Sequence, residues 1–203
     1  LPTIGLCQAN QFWEWDGVTF EILHPVNPGT IPKRNNRSCV LRVSAGSQRI
    51  LMTGDIESRV ERNLMRSTVH DRLSASVMVV PHHGSKTSSS ADFIAAVNPA
   101  MAWVSSGFQS RFRHPNGQVI DRYLAQGAQI YNSVDTGWLE FVPEKASLKL
   151  WRKSRLARWK PTPCNSYLRL VSMGRALDLY QGVMYIRGLS TLGIGFVASR
   201  IEA

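Results

Sequence analysis

The chain has 203 residues, which is enough for one or two domains with a real hydrophobic core. Its three cysteines are too few and too scattered for a disulfide framework, and they form no CxxC pair that would predict a zinc knuckle. The 24 lysines and arginines against 14 acids give a formal net charge of +10. That balance favours an anionic partner, either nucleic acid or an anionic membrane surface, unless it serves only solubility.

Predicted strands alternate with predicted helices along the chain. Apolar runs bounded by turn residues predict strands at 18–23, 39–44, 49–53, 76–80, 101–105, 129–132, 138–142 and 147–151. Apolar residues at helical spacing predict helices at 57–73, 90–97 and 117–126. The alternation predicts an α/β layered fold, and the paired strands near both ends predict a mixed sheet. No apolar run reaches about 18 residues, so no transmembrane segment is predicted.

Residues 145–160 are basic, with Trp151 and Trp159 among the charges. Such a stretch favours single-stranded nucleic acid, because cations follow the backbone and aromatic rings stack on bases. The alternative is a juxtamembrane or merely solvated basic tail. The candidate contacts to nucleic acid in this stretch are Arg152, Lys153 and Arg155.

Asp55 directly follows a predicted buried strand and a glycine. Gly54 allows the backbone to turn and to approach its neighbours closely. Asp55 is then presented at the carboxyl end of a strand, where α/β sheets place their ligands. A carboxylate there suits a divalent metal or a general base. The alternative is that Asp55 only caps a helix that starts at Ile56.

His82 and His83 follow the next predicted buried strand and precede a glycine. Imidazole is the commonest metal ligand among protein side chains. Because adjacent residues of a regular strand point to opposite faces, we expect one histidine to face a metal and the other to face substrate or support the ligand. The alternative is an ordinary pair of loop histidines.

Hydroxyl and basic side chains near these motifs are candidate phosphate contacts. The serine-rich segment after His83 leads into a predicted helix N-terminus, which is a favourable place for an anion. Arginines beside His114 suit a phosphate backbone, with a solvated basic turn as the alternative. The candidates are Ser85, Lys86, Ser88, Arg111 and Arg113. Asn36 could complete a coordination shell or only build a turn, and His24 is a weaker candidate ligand.

The order of these motifs resembles the C-terminal metallo-β-lactamase-like domain of ComEC-type DNA-internalisation competence proteins. The similar motifs are Asn35-Asn36-Arg37-Ser38, Thr53-Gly54-Asp55, Val80-Pro81-His82-His83-Gly84-Ser85, Asn98-Pro99 and His114-Pro115. The resemblance runs from about Leu1 to Pro161. It implies the C-terminal half of a metallo-β-lactamase-like αββα sandwich at 1–161, followed by an appendage at 162–203.

The resemblance also implies a function, namely metal-dependent hydrolysis of DNA phosphodiester bonds during DNA uptake. By this resemblance the metal positions are Asp55, His82, His83 and Asn36, and the catalytic positions are Asp55, His82, His83 and His114. The implied cofactor is manganese or zinc, with two ions in a complete domain. The implied partners are single-stranded DNA and other competence machinery. The implied location is the inner membrane, with the domain on its outer, periplasmic side.

One family motif is missing from the sequence. The main ligand cluster of the fold, HxHxDH, occurs nowhere in these 203 residues. Since the chain begins with Leu1 and shows no leader, we expect a fragment of a longer protein that lacks nuclease activity by itself. The alternatives are a non-catalytic nucleic-acid-binding remnant and a metallo-hydrolase of another substrate.

Overall fold

A computed structural model of the chain describes residues 7–15, 17–107, 112–136, 138–142, 147–151, 177–179, 182–186 and 194–197. The chain divides into two compact units. The first unit comprises Leu1–Val104 and Gln109–Tyr131, and the second comprises Ser105–Phe108 and Asn132–Ala203. Within the described residues, no helix combines the length and apolarity that crossing a membrane requires.

The first unit is built on a seven-stranded sheet in which the strands follow one another in chain order. The strands are β1 (Phe12–Trp15), β2 (Val18–His24), β3 (Val40–Ala45), β4 (Gln48–Met52), β5 (Val77–Val79), β6 (Met101–Val104) and β7 (Gln129–Asn132). Strands β1 to β4 form an antiparallel meander, whereas β4, β5 and β6 are parallel. The predicted α/β class and mixed sheet are therefore confirmed.

Three helices cover one face of this sheet, namely α1 (Ser58–Arg66), α2 (Ala91–Val97) and α3 (Gly117–Ala125). Leu51, Met78 and Ala102 lie side by side across β4, β5 and β6, and all three belong to the core that the helices share. Their neighbours Ile50 and Val77 point to the other face and are buried as well. Both faces of the sheet are thus apolar, as a layered fold requires.

The helix predicted at 57–73 is too long. Helix α1 ends at Arg66, and a short 3₁₀ turn follows at His70–Arg72. The hydroxyl of Ser67 donates to the Leu64 carbonyl at 2.8 Å, so a side chain satisfies an acceptor that the next helical turn would have used. Leu73 is nevertheless fully buried, which explains why the apolar spacing continues past the end of the helix.

Strand β1 and one disulfide were not predicted. All four residues of β1 are exposed, so the strand lacks the buried alternation on which strand prediction depends. Cys7 and Cys39 form a disulfide that joins the segment before β1 to the residue before β3, although the cysteine count predicted no framework. Cys164 lies outside the described residues.

The second unit contains a five-stranded sheet in the order β10-β11-β12-β8-β9. Its elements are α4 (Ser133–Thr136), β8 (Trp138–Val142), β9 (Ser147–Trp151), β10 (Leu177–Leu179), β11 (Gly182–Ile186) and β12 (Ile194–Val197). Strands β8 and β9 match the predictions, whereas β10 to β12 lie in the segment predicted as an appendage. The predicted boundary at Pro161 lies outside the described residues.

Candidate metal and phosphate site

The candidate residues meet at one edge of the seven-stranded sheet. Because β3 runs antiparallel to β2 and β4, its start lies beside the ends of those strands. Because β5 is parallel to β4, its end lies at the same edge. This edge, which we call the ligand edge, carries His24 at the end of β2, Asn36 before β3, Asp55 after β4, and His82 and His83 after β5.

Gly54 and Ser38 fix the position of Asp55. Gly54 has a φ of +55°, and a Cβ on it would lie 2.7 Å from the Ser38 Cβ, so a larger residue would collide there. The Ser38 hydroxyl oxygen accepts a hydrogen bond from the Asp55 N–H at 3.1 Å. Helix α1 has Glu57 at its N-cap, so the alternative role of Asp55 as the cap of a helix starting at Ile56 is wrong.

His82 and His83 lie in a 3₁₀ turn at Pro81–Gly84 rather than in a regular strand. Both have left-handed backbone conformations, with φ of 49° and 55°. The His82 N–H donates to the Gly54 carbonyl at 2.9 Å, which ties this turn to the one that carries Asp55. Strained backbone of this kind is concentrated at functional sites in proteins. The argument from strand alternation therefore does not apply to this pair.

Asp55 and His83 are two predicted metal ligands whose side-chain atoms lie close together. Their Oδ1 and Nε2 atoms are 3.5 Å apart, and the two side chains are 21% and 29% exposed. Two ligands about 2.1 Å from a shared ion in tetrahedral geometry lie about 3.4 Å from each other, so the pair has the chemistry and spacing of two metal ligands. Among the described residues, no group of three or more histidine, cysteine, aspartate or glutamate side chains could hold a metal ion.

His114 joins the same cluster from the loop after β6. Its ring centroid lies 5.9 Å from that of His82, and the Phe112 ring stacks on it at 5.9 Å. Burial lowers the pKa of His114, and the neighbouring His82 and His83 lower it further, whereas Asp55 acts in the opposite direction. The buried His114 Nδ1 has no hydrogen-bond partner. The structure thus brings His114 to the other predicted catalytic residues.

Asn36 and His24 connect this edge to the rest of the fold. Asn36 is buried, and its Oδ1 accepts a hydrogen bond from the Glu57 N–H at 3.0 Å. His24 Nε2 donates to the Asn36 carbonyl at 2.8 Å, and burial lowers the pKa of His24. His24 is thus hydrogen-bonded to the loop before β3. The Asn36 amide oxygen, which was predicted as a metal ligand, already accepts from the N-cap residue of α1.

The serines predicted to bind phosphate are used inside the fold. Ser88 is 1% exposed, and its hydroxyl donates to the Pro81 and Ser85 carbonyls. At the N-terminus of α2, the Glu61 carboxylate accepts from the N–H groups of Ser89 and Ser90 and from the Ser90 hydroxyl. A carboxylate of this chain therefore binds the two residues that immediately precede α2.

Basic side chains remain exposed around the ligand edge. Lys86 and Arg113 are both exposed, and they lie on the loops that follow β5 and β6. Lys33 and Arg37 are exposed on the loop before β3. We call these four side chains the basic rim. The other predicted contacts, Arg111, Arg152, Lys153 and Arg155, lie outside the described residues, as does Trp159.

Lys33 and Glu57 were missed as parts of the site, whereas Asn35 and Thr87 lie in segments singled out in the sequence. The Glu57 Oε2 atom is 2.6 Å from Lys33 Nζ, and Glu57 Oε1 accepts from the Thr87 hydroxyl at 3.3 Å. The Thr87 hydroxyl also lies 3.4 Å from His82 Nδ1, and Asn35 Nδ2 lies 3.3 Å from His82 Nε2. Glu57 gave a local signal, since it lies two residues after Asp55, whereas Lys33 gave none.

Comparison of the sequence with known proteins indicates the family to which the chain is related. The relatives include competence proteins, and they support a competence-protein family for this chain. The chain is 40% identical over 144 residues to Competence protein ComA of Neisseria gonorrhoeae, which covers 71% of the chain and 20% of that protein.

Two further relatives show the same partial coverage. The chain is 37% identical to Uncharacterized protein YcaI of Escherichia coli (strain K12), over 74% of the chain and 19% of that protein. It is 34% identical to Recombination protein 2 of Haemophilus influenzae, over 64% of the chain and 16% of that protein. The matched segment thus spans at most 20% of each of these proteins. No protein-family model matches the chain.

Proposed function

We propose that this chain is part of a metal-dependent phosphodiester hydrolase domain of a DNA-internalisation protein. The observation that carries the proposal is the approach of Asp55 Oδ1 to His83 Nε2, 3.5 Å apart at the ligand edge. Parallel strands of α/β sheets present their ligand-binding residues at this end. The names of the competence relatives supply the biological setting.

A divalent cation fits the types of donor present. Asp55 and His83 would hold it, since a carboxylate oxygen and an imidazole nitrogen are common ligands of manganese and zinc. When bound, such an ion polarises a phosphate oxygen and makes a bound water more acidic. Two donors are fewer than the three that catalytic sites use, so the remaining ligands would come from residues beyond this pair.

The chain's other residues at this edge would bind and orient the phosphate. His114 lies beside His82, with 5.9 Å between the ring centroids, and its ring would contact an oxygen of a bound phosphate. Lys86 and Arg113 add positive charge on the adjoining loops. A net charge of +10 favours a polyanion over a neutral substrate. Single-stranded DNA is therefore the substrate that we propose.

The proposed setting follows the resemblance to DNA-internalisation proteins. The domain would act on the outer, periplasmic side of the inner membrane, within a larger membrane protein and beside other competence machinery. Its partner there would be DNA entering the cell.

A second candidate function is binding of nucleic acid without cleavage, by the full protein as well as by the 203-residue chain. It is favoured by the finding that no three potential ligands meet among the described residues. A basic rim binds phosphates without needing a metal. Binding without cleavage by the full protein would favour this alternative over the first.

The proposal is tested by cleavage of single-stranded DNA by the full protein expressed from its own gene. We expect Asp55→Ala and His83→Ala to lower manganese-dependent cleavage by more than about 100-fold, because changes behind a metal ligand already cost 10–100-fold. Asp71→Ala is the control, since that side chain is 98% exposed. The isolated chain should show no such cleavage. Full activity of Asp55→Ala would refute the proposal.

A further inference from the structure

Glu57 is a nearly buried carboxylate beside the proposed metal ligands, and no role has yet been assigned to it. Its side chain is 11% exposed, and its Oε2 lies 2.6 Å from Lys33 Nζ. Its Oε1 lies 3.9 Å from His82 Nδ1, which is too far for a direct hydrogen bond. The Thr87 hydroxyl bridges this gap, at 3.3 Å from Glu57 Oε1 and 3.4 Å from His82 Nδ1.

The direction of these hydrogen bonds follows from the number of protons available. A carboxylate accepts only, so the single hydroxyl proton of Thr87 goes to Glu57. The Thr87 oxygen is then left to accept, from the Ser85 hydroxyl at 3.2 Å and from the ring, so the proton between Thr87 and the ring is on His82 Nδ1. On the other side of the ring, the Asn35 amide nitrogen donates to His82 Nε2 at 3.3 Å. Both contacts require the same tautomer of His82.

We propose that Glu57, acting through Thr87, holds His82 as the Nδ1–H tautomer, so that Nε2 carries the lone pair that accepts from Asn35. Glu57 and Thr87 are then positioning residues for His82. This inference rests on the proposed function for its consequence, in which a divalent cation or a bound water takes the place of the Asn35 amide at the Nε2 lone pair. The tautomer assignment depends only on the contacts of Thr87 with Glu57 and of His82 with Thr87 and Asn35.

This arrangement gives the two histidines different contacts. His83 pairs with Asp55, whereas His82 is oriented by a carboxylate through a hydroxyl. Carboxylates that orient a ligating histidine are a general feature of metal sites and set which nitrogen is available. Lys33 places a positive charge against Glu57 and is 58% exposed, so it adds charge balance at the surface. The structure therefore assigns His82 a fixed ring orientation before any ligand binds.

The test is side-chain NMR of the histidine-labelled 203-residue chain at about pH 8.5, well above the ordinary histidine pKa of about 6.5. Ring ¹³C and ¹⁵N shifts distinguish the two neutral tautomers, and His82→Gln identifies the signal. We expect the Nδ1–H form of His82 in the wild type and in Thr87→Ser. In Thr87→Val, which has the same shape without the hydroxyl, we expect the Nε2–H form to become substantially populated.

Either of two results would overturn the proposal. One is a wild-type His82 that is mainly the Nε2–H tautomer, which requires no variant to fold. The other is a Thr87→Val chain with a native-like spectrum in which the Nδ1–H form persists unchanged.

Manganese titration separates this proposal from the proposed function. Thr87→Val should weaken manganese binding about tenfold, as expected for loss of a residue behind a ligand, whereas Thr87→Ser should not. Absence of manganese at Asp55 and His83 in the wild type would count against the proposed function and leave the tautomer result standing. Manganese binding at Asp55 and His83 together with a His82 that is mainly the Nε2–H tautomer would support the proposed function and overturn the tautomer proposal.

Discussion

At the scale of single residues, the ligand edge depends on two close backbone approaches. Gly54 lies against Ser38, and a Cβ on Gly84 would lie 2.6 Å from the Pro115 Cβ. The second contact brings the segment that carries His114 to the histidine turn, and the Asn116 N–H donates to the Gly84 carbonyl at 2.9 Å. Glycine is needed at both positions because each combines a positive φ with a lack of space.

Gly54→Ala is therefore expected to destabilise the fold by about 2–4 kcal/mol, combining the cost of a left-handed L-residue with that of overpacking. The matched control is Gly46→Ala, whose φ is +57° but whose added Cβ would meet nothing within 4 Å. It should cost only about 1–2 kcal/mol. Urea unfolding of both variants measures the difference. Equal losses in the free energy of unfolding would mean that the close approach of Gly54 to Ser38 does not affect stability.

The residues that were predicted and those that were missed differ in the kind of signal they leave. Asp55 and the histidine pair follow apolar strands directly, so their place at the sheet edge could be predicted from local pattern. Lys33 and Thr87 reach Glu57 across 24 and 30 positions of the chain. Such contacts exist only after the sheet has formed, and a lysine or threonine in a polar loop carries no local sign of them.

At the scale of elements, α1 and α2 are joined by one buried carboxylate. Glu61 of α1 is fully buried and accepts from the N–H groups of Ser89 and Ser90, which immediately precede α2. Arg122 of α3 donates to the Ser89 carbonyl at 3.0 Å. Burial raises the pKa of Glu61, and the hydrogen bonds from Ser90 and Ser89 and the charge of Arg122 only partly oppose this.

A raised folded-state pKa has a definite consequence for stability. The unfolded chain releases the Glu61 proton near the ordinary value of 4.5, whereas the folded chain keeps it to higher pH. Stability from the protonated form is thus fully present below pH 4.5 and is lost as the pH rises through the folded-state pKa. Glu61→Gln cannot titrate and lacks this dependence.

We therefore expect the free energy of unfolding of the wild type to fall relative to that of Glu61→Gln as the pH rises from 4 to about 8. Urea unfolding across this range measures the difference at each pH. Because the glutamine NH₂ group faces donors that need acceptors, the variant should also be less stable in absolute terms, by about 1–3 kcal/mol. A wild-type advantage that grows with pH would show that the bonds from Ser89, Ser90 and Arg122 outweigh desolvation.

Strands and helices could be predicted where apolar residues form a run or recur at regular spacing, and not elsewhere. The hairpin of β3 and β4 and the parallel strands β5 and β6 carry clear apolar runs, and the structure has them close to the predicted bounds. Strand β1 has no buried residue and depends on pairing with β2, which no local pattern shows. Helix α1 is shorter than its apolar spacing because Ser67 closes it with a side-chain hydrogen bond.

At the scale of the whole molecule, charge is the property that bears most directly on a DNA partner. The basic rim contributes four exposed cations at the ligand edge, of which Lys33 is paired with Glu57. If each of the other three contacts one phosphate of single-stranded DNA, the logarithm of affinity should fall with the logarithm of salt at a slope of about −2. Binding would then weaken about 20-fold for a fourfold rise in salt.

Lys86→Gln combined with Arg113→Gln should make this slope less steep by about 1.4. The matched control is Arg62→Gln with Arg66→Gln, which removes the same charge from exposed positions of α1. Fluorescence anisotropy with labelled single-stranded DNA at several salt concentrations gives all three slopes. An equal change in both double variants would mean that net charge matters and the rim does not.

The central claim is that Asp55 and His83 form a ligand pair for a divalent cation, and paramagnetic broadening by manganese tests it most directly. Broadening is sensitive to weak binding, so it suits a chain whose described residues bring two donors together rather than three. At substoichiometric manganese, we predict that the side-chain signals of His83 broaden first and that Asp55→Ala abolishes this selectivity, whereas Asp71→Ala does not. Broadening that is uniform, centred elsewhere or unchanged in Asp55→Ala would contradict the claim.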